Sequence, residues 1–195
     1  MEDRAERIVQ SAMLLADQGG FQAVRLRDVA AHSGVALGTL YSRFRSKEDI
    51  LVAALDAETM KFETLLGQYP VIGDTPSERV RHFFTLATRA LFARPNFARA
   101  VLRSVSSGVP EVAEKVVRFH QRITTLIVTA MRGTAPLSFA TSEPCSEAEG
   151  QVGFLLQQIW FAALVGWMGG VQDEATIVEH MASAADILIK GAELT

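Results

Sequence analysis

The sequence predicts an all-α protein of about nine helices, with a short N-terminal unit of three helices ahead of a longer helical domain. Apolar residues recur at helical spacing along most of the chain, without the alternation typical of strands. Glycine and proline fall between the apolar runs, where helices are expected to end. Hydrophobic residues make up 49% of the 195 residues, so a sizeable core is expected rather than wholesale disorder.

The first helix is predicted over residues 3–18, where Ile8 and Leu15 belong to one apolar face. Gly19-Gly20 end it, because glycine readily takes the backbone conformations that follow a helix. We expect Phe21 and the two helices that follow to complete a small three-helix core.

Residues 25–50, RLRDVAAHSGVALGTLYSRFRSKEDI, contain two short helical patterns joined at Gly34. Ala30 lies four residues before Gly34, and the pair suits a close approach of two helices followed by a turn with positive φ. Leu40 is the apolar anchor expected for the second helix. This layout is typical of a DNA-binding helix-turn-helix, although a generic helical hairpin also satisfies the spacing.

Residues 34–51, GVALGTLYSRFRSKEDIL, resemble the signature of TetR-family transcriptional regulators. The matching parts are Gly34, the run Gly38-Thr39-Leu40-Tyr41, Phe44, and the run Ser46-Lys47-Glu48. The motif match covers about the first 55 residues. The resemblance implies a dimeric transcriptional repressor with a recognition helix near residues 37–43. The variant Ala-Leu-Gly-Thr-Leu-Tyr is similar to that of family members that repress steroid and lipid catabolism.

The candidate DNA-binding residues lie on or beside the recognition helix. Thr39 suits a phosphate or a base, Leu37 a thymine methyl group, and Gly38 a close backbone approach. Tyr41 matches a family tyrosine that commonly contacts phosphate, and Lys47 opens the next helix. Phe44 is assigned to the core. The complete set is Arg25, Arg27, Leu37, Gly38, Thr39, Tyr41, Ser42, Arg43 and Lys47. Its arginines are equally compatible with a solvated surface.

Two positions depart from the family pattern. Members usually carry Ser or Thr where this chain has Arg25 and Ala36, as helix N-caps that also touch phosphate. Loss of the hydroxyl cap is expected to cost the recognition helix about 1 kcal/mol. Arg25 is expected to restore phosphate binding through its charge.

The net charge of −3 argues against a nucleic-acid binder when taken alone. The acidity is concentrated near the end of the chain, where residues 134–195 carry one basic and eight acidic side chains. Basic residues cluster instead around the recognition helix. A local basic patch of this kind is what meets phosphates.

The chain is predicted to divide into a DNA-binding domain, residues 1–50, and an effector-binding and dimerisation domain, residues 51–195. A turn-rich segment at 69–76 is the candidate boundary between the functional halves. Residues 133–146 are predicted to form a polar loop. Further helices are predicted over residues 47–67, 77–94, 97–106, 110–132, 147–169 and 173–191.

The resemblance implies a small hydrophobic effector in the C-terminal half. Seven aromatic residues there are the candidates for its site, although an aromatic residue at helical spacing more often packs in the core: Phe62, Phe83, Phe84, Phe92, Phe119, Trp160 and Phe161. His82, His120 and His180 lack the spacing of metal ligands, so neither a metal nor a cofactor is expected.

A homodimer face is predicted on the last two helices. Ala162, Gly166 and Gly170 recur every four residues beside Trp167, and small residues on one face allow two helices to approach closely. The final helix contributes Met181, Ala184 and Leu188 at compatible spacing. A two-fold dimer would place two recognition helices about 34–36 Å apart and imply a near-palindromic operator. The alternative is an intramolecular core helix.

Other classes of protein are less compatible with the sequence. Residues 150–172 lack charged side chains, but Gln151, Gln157, Gln158 and the glycines of this segment favour a buried interface helix over a membrane span. The N-terminus lacks a signal region, so a cytoplasmic location is expected. Cys145, the one cysteine, excludes an internal disulfide. Catalytic motifs are absent, which disfavours an enzyme, and a purely helical scaffold stays the alternative.

Overall fold

The computed structural model describes residues 4–134 and 145–194 of the chain. Within these ranges it contains nine α-helices, one 3₁₀ helix at Pro110–Val112, and no strand, as the sequence predicts. The helices are α1 (Arg4–Ala23), α2 (Leu26–Ser33), α3 (Leu37–Arg43), α4 (Lys47–Gln68), α5 (Pro76–Phe92), α6 (Pro95–Val105), α7 (Ala113–Arg132), α8 (Glu147–Met168) and α9 (Glu174–Gly191). The predicted loop at 133–146 falls mostly outside the described residues.

The helices form two compact units that differ from the division predicted from the sequence. Unit one contains residues 1–59 and 93–118, and unit two contains residues 60–92 and 119–195. The predicted boundary at residue 50 therefore misses α6, which belongs to unit one because it packs along α1. α4 and α7 each contribute residues to both units.

The first helix changes direction at the glycine pair. Gly20 has a φ of +64° and Gly19 also has non-helical angles, so the helix predicted to end at residue 18 is broken there and followed by one further turn. Asp17 precedes the break and forms an ion pair with Arg94, the N-cap residue of α6. The Asn96 side chain donates a hydrogen bond to the Asp17 carbonyl oxygen at 2.9 Å. These contacts join the end of α1 to the beginning of α6.

Unit two is built on α5, α8 and α9, which pack against one another. Phe83, Leu156 and Ile177 are fully buried in its core. The Trp160 indole N–H donates to the Thr88 hydroxyl at 3.0 Å, and both side chains are buried. The polar atoms of this buried pair are therefore satisfied internally, as burial requires.

α8 is long and apolar enough to cross a membrane by length and composition alone. One of its faces is nevertheless buried inside unit two, where Gln157 is only 1% exposed. The buried Gln157 side chain is hydrogen-bonded, as a polar group in the core of a globular unit must be. These features are typical of a core helix.

The start of α8 is held by a capping box that is tied to α7. Ser146 and Glu149 cap each other's backbone N–H groups, and the Arg132 guanidinium pairs with both Glu149 oxygens at 2.7 and 2.8 Å. The Arg132 hydrogen bond is the main reason that the pKa of Glu149 is lowered to about 2, with further lowering from Ser146. The carboxylate of Glu149 therefore stabilises the fold in its charged form.

We predict that Glu149→Gln destabilises the protein in a pH-dependent way. Because the folded pKa lies below the ordinary value of 4.5, the stabilisation is complete above that value and is lost as the pH falls towards 2. The shift corresponds to up to about 3 kcal/mol in the free energy of unfolding at neutral pH. Urea denaturation from pH 7 to pH 3 should show the two proteins converging. The control is Glu147→Gln, an exposed residue in the same turn; equal effects of the two changes would contradict the assignment.

Candidate nucleic-acid interface

The helix-turn-helix lies entirely within unit one. Gly34 ends α2 with a φ of +66° and a ψ of +30°, the left-handed conformation predicted for the turn. The backbone N–H of Val35 donates to the Ala30 carbonyl at 3.1 Å, which closes the turn. Val29, Ala30 and Leu40 are buried, so α2 and α3 are anchored on their inner sides as predicted.

The outer side of α3 is exposed. Within this fully described seven-residue helix, Leu40 is the buried residue. Tyr41 is 53% exposed, whereas Phe44, just past the helix, is 6% exposed and packs in the core. Of the nine predicted DNA contacts, six are exposed and three are half-buried. The exposed ones are Arg25, Arg27, Gly38, Tyr41, Ser42 and Arg43, and the half-buried ones are Leu37, Thr39 and Lys47.

The two unusual N-cap positions lack side-chain caps, because neither arginine nor alanine has a side-chain hydrogen-bond acceptor. Arg25 and Ala36 both have extended backbone angles suited to an N-cap, yet neither side chain accepts a hydrogen bond from the described first turn that follows it. The N–H groups at the start of α2 and α3 therefore lack the usual side-chain acceptor. Such N–H groups can donate to a phosphate oxygen.

Two of the predicted contacts already have partners within the protein. The Ser42 hydroxyl donates to the Thr39 carbonyl at 2.8 Å, so its proton is used inside α3. The Lys47 ammonium donates to the Phe21 carbonyl at 3.3 Å and lies 3.8 Å from the centre of the Phe21 ring. Burial is the largest cause of the lowered pKa of Lys47, and the nearby Arg103 and Arg25 lower it further while Glu48 raises it.

Asp49 fixes the turn between α3 and α4. Its side chain is 7% exposed, pairs with the Lys115 ammonium of α7 and accepts a hydrogen bond from the Arg45 backbone N–H at 3.1 Å. The Ser46 hydroxyl oxygen caps α4 by accepting a hydrogen bond from the Asp49 backbone N–H at 3.1 Å. The sequence did not reveal the pair with Lys115, because the two residues lie 66 positions apart.

All seven candidate effector residues lie in unit two, where their rings fall into separate clusters. Phe83 links Phe62 and Phe84 through edge contacts, with Trp160 beyond Phe84 at 5.7 Å between ring centres. Phe92 instead stacks on Trp167, with ring centres 4.1 Å apart. Phe83 and Phe84 are fully buried, so they are core residues of unit two.

The remaining two aromatic candidates flank a polar group. His120 makes edge contacts with the rings of Phe119 and Phe161, and its Nδ1 pairs with the Gln157 side chain. Burial lowers the pKa of His120, with a smaller opposing effect from the hydrogen bond to Gln157, so the imidazole is neutral at pH 7. Sequence reasoning considered His120 only as a metal ligand, and no metal-binding group of His, Cys, Asp or Glu occurs in the described residues.

The structure gives several predicted dimer contacts another explanation within unit two. Met181 is fully buried, and Trp167 stacks on Phe92. A side chain at Gly166 would contact Gln172 at 3.4 Å, and Gly170 lies beyond α8 in a turn with a φ of +75°. Met181 therefore belongs to the core of unit two, whereas a place for Trp167, Gly166 and Gly170 in a dimer face stays a prediction. Ala162 is exposed, and Ala184 and Leu188 are half-buried.

Comparison with known proteins gives the family. Residues 8–54 match the model of bacterial regulatory proteins of the tetR family. Residues 73–188, more than half of the chain, match the model of a tetracyclin repressor-like C-terminal domain. The chain belongs to the TetR family. It is therefore a transcriptional regulator with a DNA-binding helix-turn-helix and not an enzyme, as the sequence predicted.

Individual relatives agree with this TetR-family assignment. The HTH-type transcriptional repressor KstR of Mycobacterium tuberculosis is 27% identical over 187 residues, which covers 96% of this chain and 81% of KstR. A TetR transcriptional regulator from Rhodococcus sp. RHA1 has a TM-score of 0.78 at 24% identity, covering 95% and 94% of the two chains. FadR of Thermus thermophilus, in complex with lauroyl-CoA, has a TM-score of 0.68 at 21% identity over 93% and 92%. The two structures show the same fold.

Proposed function

We propose that this TetR-family regulator is a cytoplasmic homodimeric repressor, which binds a near-palindromic operator and is released by a small hydrophobic effector. The observation that carries the proposal is the outer side of α3, where Gly38, Tyr41 and Ser42 are exposed beside Arg43. Short side chains and a glycine allow α3 to enter a major groove, and Tyr41 and Arg43 suit the flanking phosphates. A helical scaffold, the alternative, would have no need of this arrangement.

Similarity to known repressors supports the proposed direction of regulation. The KstR relative is a repressor, and the neighbouring FadR structure is a complex with lauroyl-CoA. We propose for this chain an effector with a large hydrocarbon portion, bound near Phe119, Phe161 and the neutral His120. The imidazole Nε2, which lacks a hydrogen-bond partner among the described residues, would donate to an oxygen of the effector.

Continuous helices offer a route from effector to DNA. α4 carries Lys47 and Asp49 in unit one and Phe62 in unit two, and α7 carries Lys115 in unit one and Phe119 in unit two. We propose that the effector shifts α4 and changes the separation of the two recognition helices in the dimer. It can do so only by binding the DNA-incompetent form more tightly.

The proposed dimer face is the exposed apolar stripe of α8 together with α9. Phe154, Ile159 and Val165 are 51%, 38% and 37% exposed on α8, and Ile187 is 71% exposed on α9. Ala162 lies in the same stripe. A second copy of the chain would remove this apolar surface from water, which is the main favourable term in such an association.

We predict that Ile159→Asp converts the dimer to a monomer, because a charge within the face would have to be buried without a partner. Sedimentation velocity at micromolar concentration measures the mass directly. The control is Ile72→Asp, which changes a side chain that is 71% exposed and outside the stripe. A dimer that survives Ile159→Asp would place the interface elsewhere.

The experiment that tests the proposed function begins with selection of duplexes from a random-sequence library by the wild-type protein. Binding to the selected duplex is then followed by fluorescence anisotropy across a salt series, with unrelated DNA as competitor. Lauroyl-CoA, lauric acid and a steroid are titrated into the complex. Release by one of these compounds would support the effector class, and failure to enrich any sequence would overturn the DNA-reading function.

A matched pair of tyrosine variants tests the recognition helix within the same assay. We expect Tyr41→Ala to weaken binding by about tenfold or more, because it removes a phosphate contact from each copy of the dimer. Tyr69→Ala, which changes a tyrosine that is 69% exposed and belongs to unit two, should leave binding unchanged. Loss of dimerisation in Tyr41→Ala would favour the scaffold alternative.

A further inference from the structure

Lys47 and Arg103, from two separate elements of unit one, lie against the ring of Phe21, and the charge of Arg25 acts on Lys47. Arg25 is the N-cap residue of α2, Lys47 is the first residue of α4, and Arg103 lies in the last turn of α6. The Lys47 ammonium lies 3.8 Å and the Arg103 guanidinium carbon 4.5 Å from the centre of the Phe21 ring. The two cations are therefore no farther apart than these two distances combined. We call Arg25, Lys47 and Arg103 the three-cation cluster.

The charge of the three-cation cluster is poorly compensated. Arg94, Lys115 and Arg118 of the same unit each form an ion pair with a carboxylate. Arg103, in contrast, is exposed and forms no ion pair within the described part of the chain. Arg25 and Arg103 both repel the Lys47 ammonium, and Glu48 is the acidic residue that attracts it.

The arrangement of donors suits an anion with several oxygens. The Lys47 ammonium uses one donor on the Phe21 carbonyl, and a lysine has two more to offer. The ring of Phe21 holds the Arg103 guanidinium through a cation–π contact, which limits its freedom before any anion arrives. A phosphate presents several acceptor oxygens, which suit charge-assisted hydrogen bonds from an ammonium and a guanidinium.

We propose that the three-cation cluster binds a backbone phosphate of the operator, and that Arg103 of α6 is therefore a DNA-contacting residue outside the helix-turn-helix. This inference rests on the proposed DNA-binding function. It extends the interface from the first 50 residues to a residue of α6. A phosphate seated there would supply the negative charge that the cluster lacks, and it would explain why Arg25 replaces a hydroxyl cap.

The test compares the wild-type protein, Arg103→Gln and Arg103→Lys on the duplex that the wild type selects from a random library. For Arg103→Gln we expect about tenfold weaker binding and a salt dependence whose slope falls by about 0.9 for each phosphate that the variant no longer neutralises. The preference for the selected duplex over a scrambled one should not change, because phosphates carry no sequence information. Arg103→Lys keeps the charge and should restore most of the slope.

The matched control is Arg118→Gln, which removes an exposed arginine of unit one that is 3.9 Å from Glu114. It removes the same charge, so it reports the general electrostatic effect on DNA binding. If the salt dependence of DNA binding has the same slope for Arg103→Gln as for Arg118→Gln, the three-cation site is overturned and the proposed function is left intact. A loss of sequence preference at constant slope would also overturn it. If the wild type enriches no sequence, the proposed function itself fails.

Discussion

Gly34→Val is expected to weaken specific DNA binding by up to roughly 30-fold while most of the helical content survives. Gly34 has a φ of +66°, a conformation that a β-branched residue adopts only at a cost of about 2 kcal/mol or more. The strain is purely conformational, because a side chain at Gly34 would meet nothing within 4 Å. The turn can escape it only by opening the hydrogen bond from Val35 to Ala30, which releases α3 from its position.

The size of the effect follows from the population of the intact turn. If repacking of α3 relieves a strain of about 2 kcal/mol, the DNA-competent fraction and the apparent affinity fall by up to about 30-fold. Gly34→Asn should lie between the wild type and Gly34→Val, because asparagine tolerates the left-handed region better than other residues with side chains. Anisotropy titrations on the selected duplex and urea denaturation measure the two effects separately.

Gly38→Ala is the matched control, because Gly38 lies inside α3 with nothing within 4 Å of an added side chain. Alanine is the better helix former, so the free energy of unfolding should stay the same or rise by up to about 1 kcal/mol. Under the proposed function, DNA affinity should still fall, because the new methyl group stands between α3 and the bases. Equal stability losses in Gly34→Val and Gly38→Ala would contradict the distinct roles of the two glycines.

The same positions show which features can be predicted from a sequence. Gly34, Leu40 and Phe44 could be assigned because local rules, namely turn conformation and helical spacing, decide their positions. The helices of unit two could be placed for the same reason, to within a few residues at each end. Local rules also predicted the missing caps at Arg25 and Ala36.

The features that the sequence could not reveal depend on distant parts of the chain. The ion pair between Asp49 and Lys115 joins residues far apart in sequence, and so does the cation–π contact between Arg103 and Phe21. The spacing of Ala162, Gly166 and Gly170 suggested one helix face, but α8 ends at Met168, before the third of them. Small residues at a spacing of four can serve a helix contact, a helix end or a turn, and the sequence alone does not distinguish these roles.

Asp49→Ala is expected to be among the most destabilising single changes in unit one. The change removes the counter-ion of Lys115, whose side chain is 32% exposed, and the acceptor of the Arg45 N–H. Breaking a largely buried pair from one side costs about 3–5 kcal/mol, and the partial exposure of Lys115 places the expected loss near 2–4 kcal/mol. Because Asp49 also holds the turn after α3, DNA affinity should fall as well.

A double-mutant cycle separates the ion pair from the role of Asp49 in the turn. Removing Lys115 as well, in Asp49→Ala/Lys115→Met, takes away the unpaired charge, so part of the lost stability should return. The Arg45 N–H still lacks its acceptor in the double variant. The loss in the free energy of unfolding that persists there is therefore the contribution of Asp49 to the turn. Glu114→Ala is the control on α7, because its pair with Arg118 is 3.9 Å long and highly exposed, and it should cost less than about 0.5 kcal/mol. If Asp49→Ala costs no more than Glu114→Ala in urea denaturation, Asp49 does not fix the position of α3, and the route proposed from α7 to the recognition helix loses its physical basis.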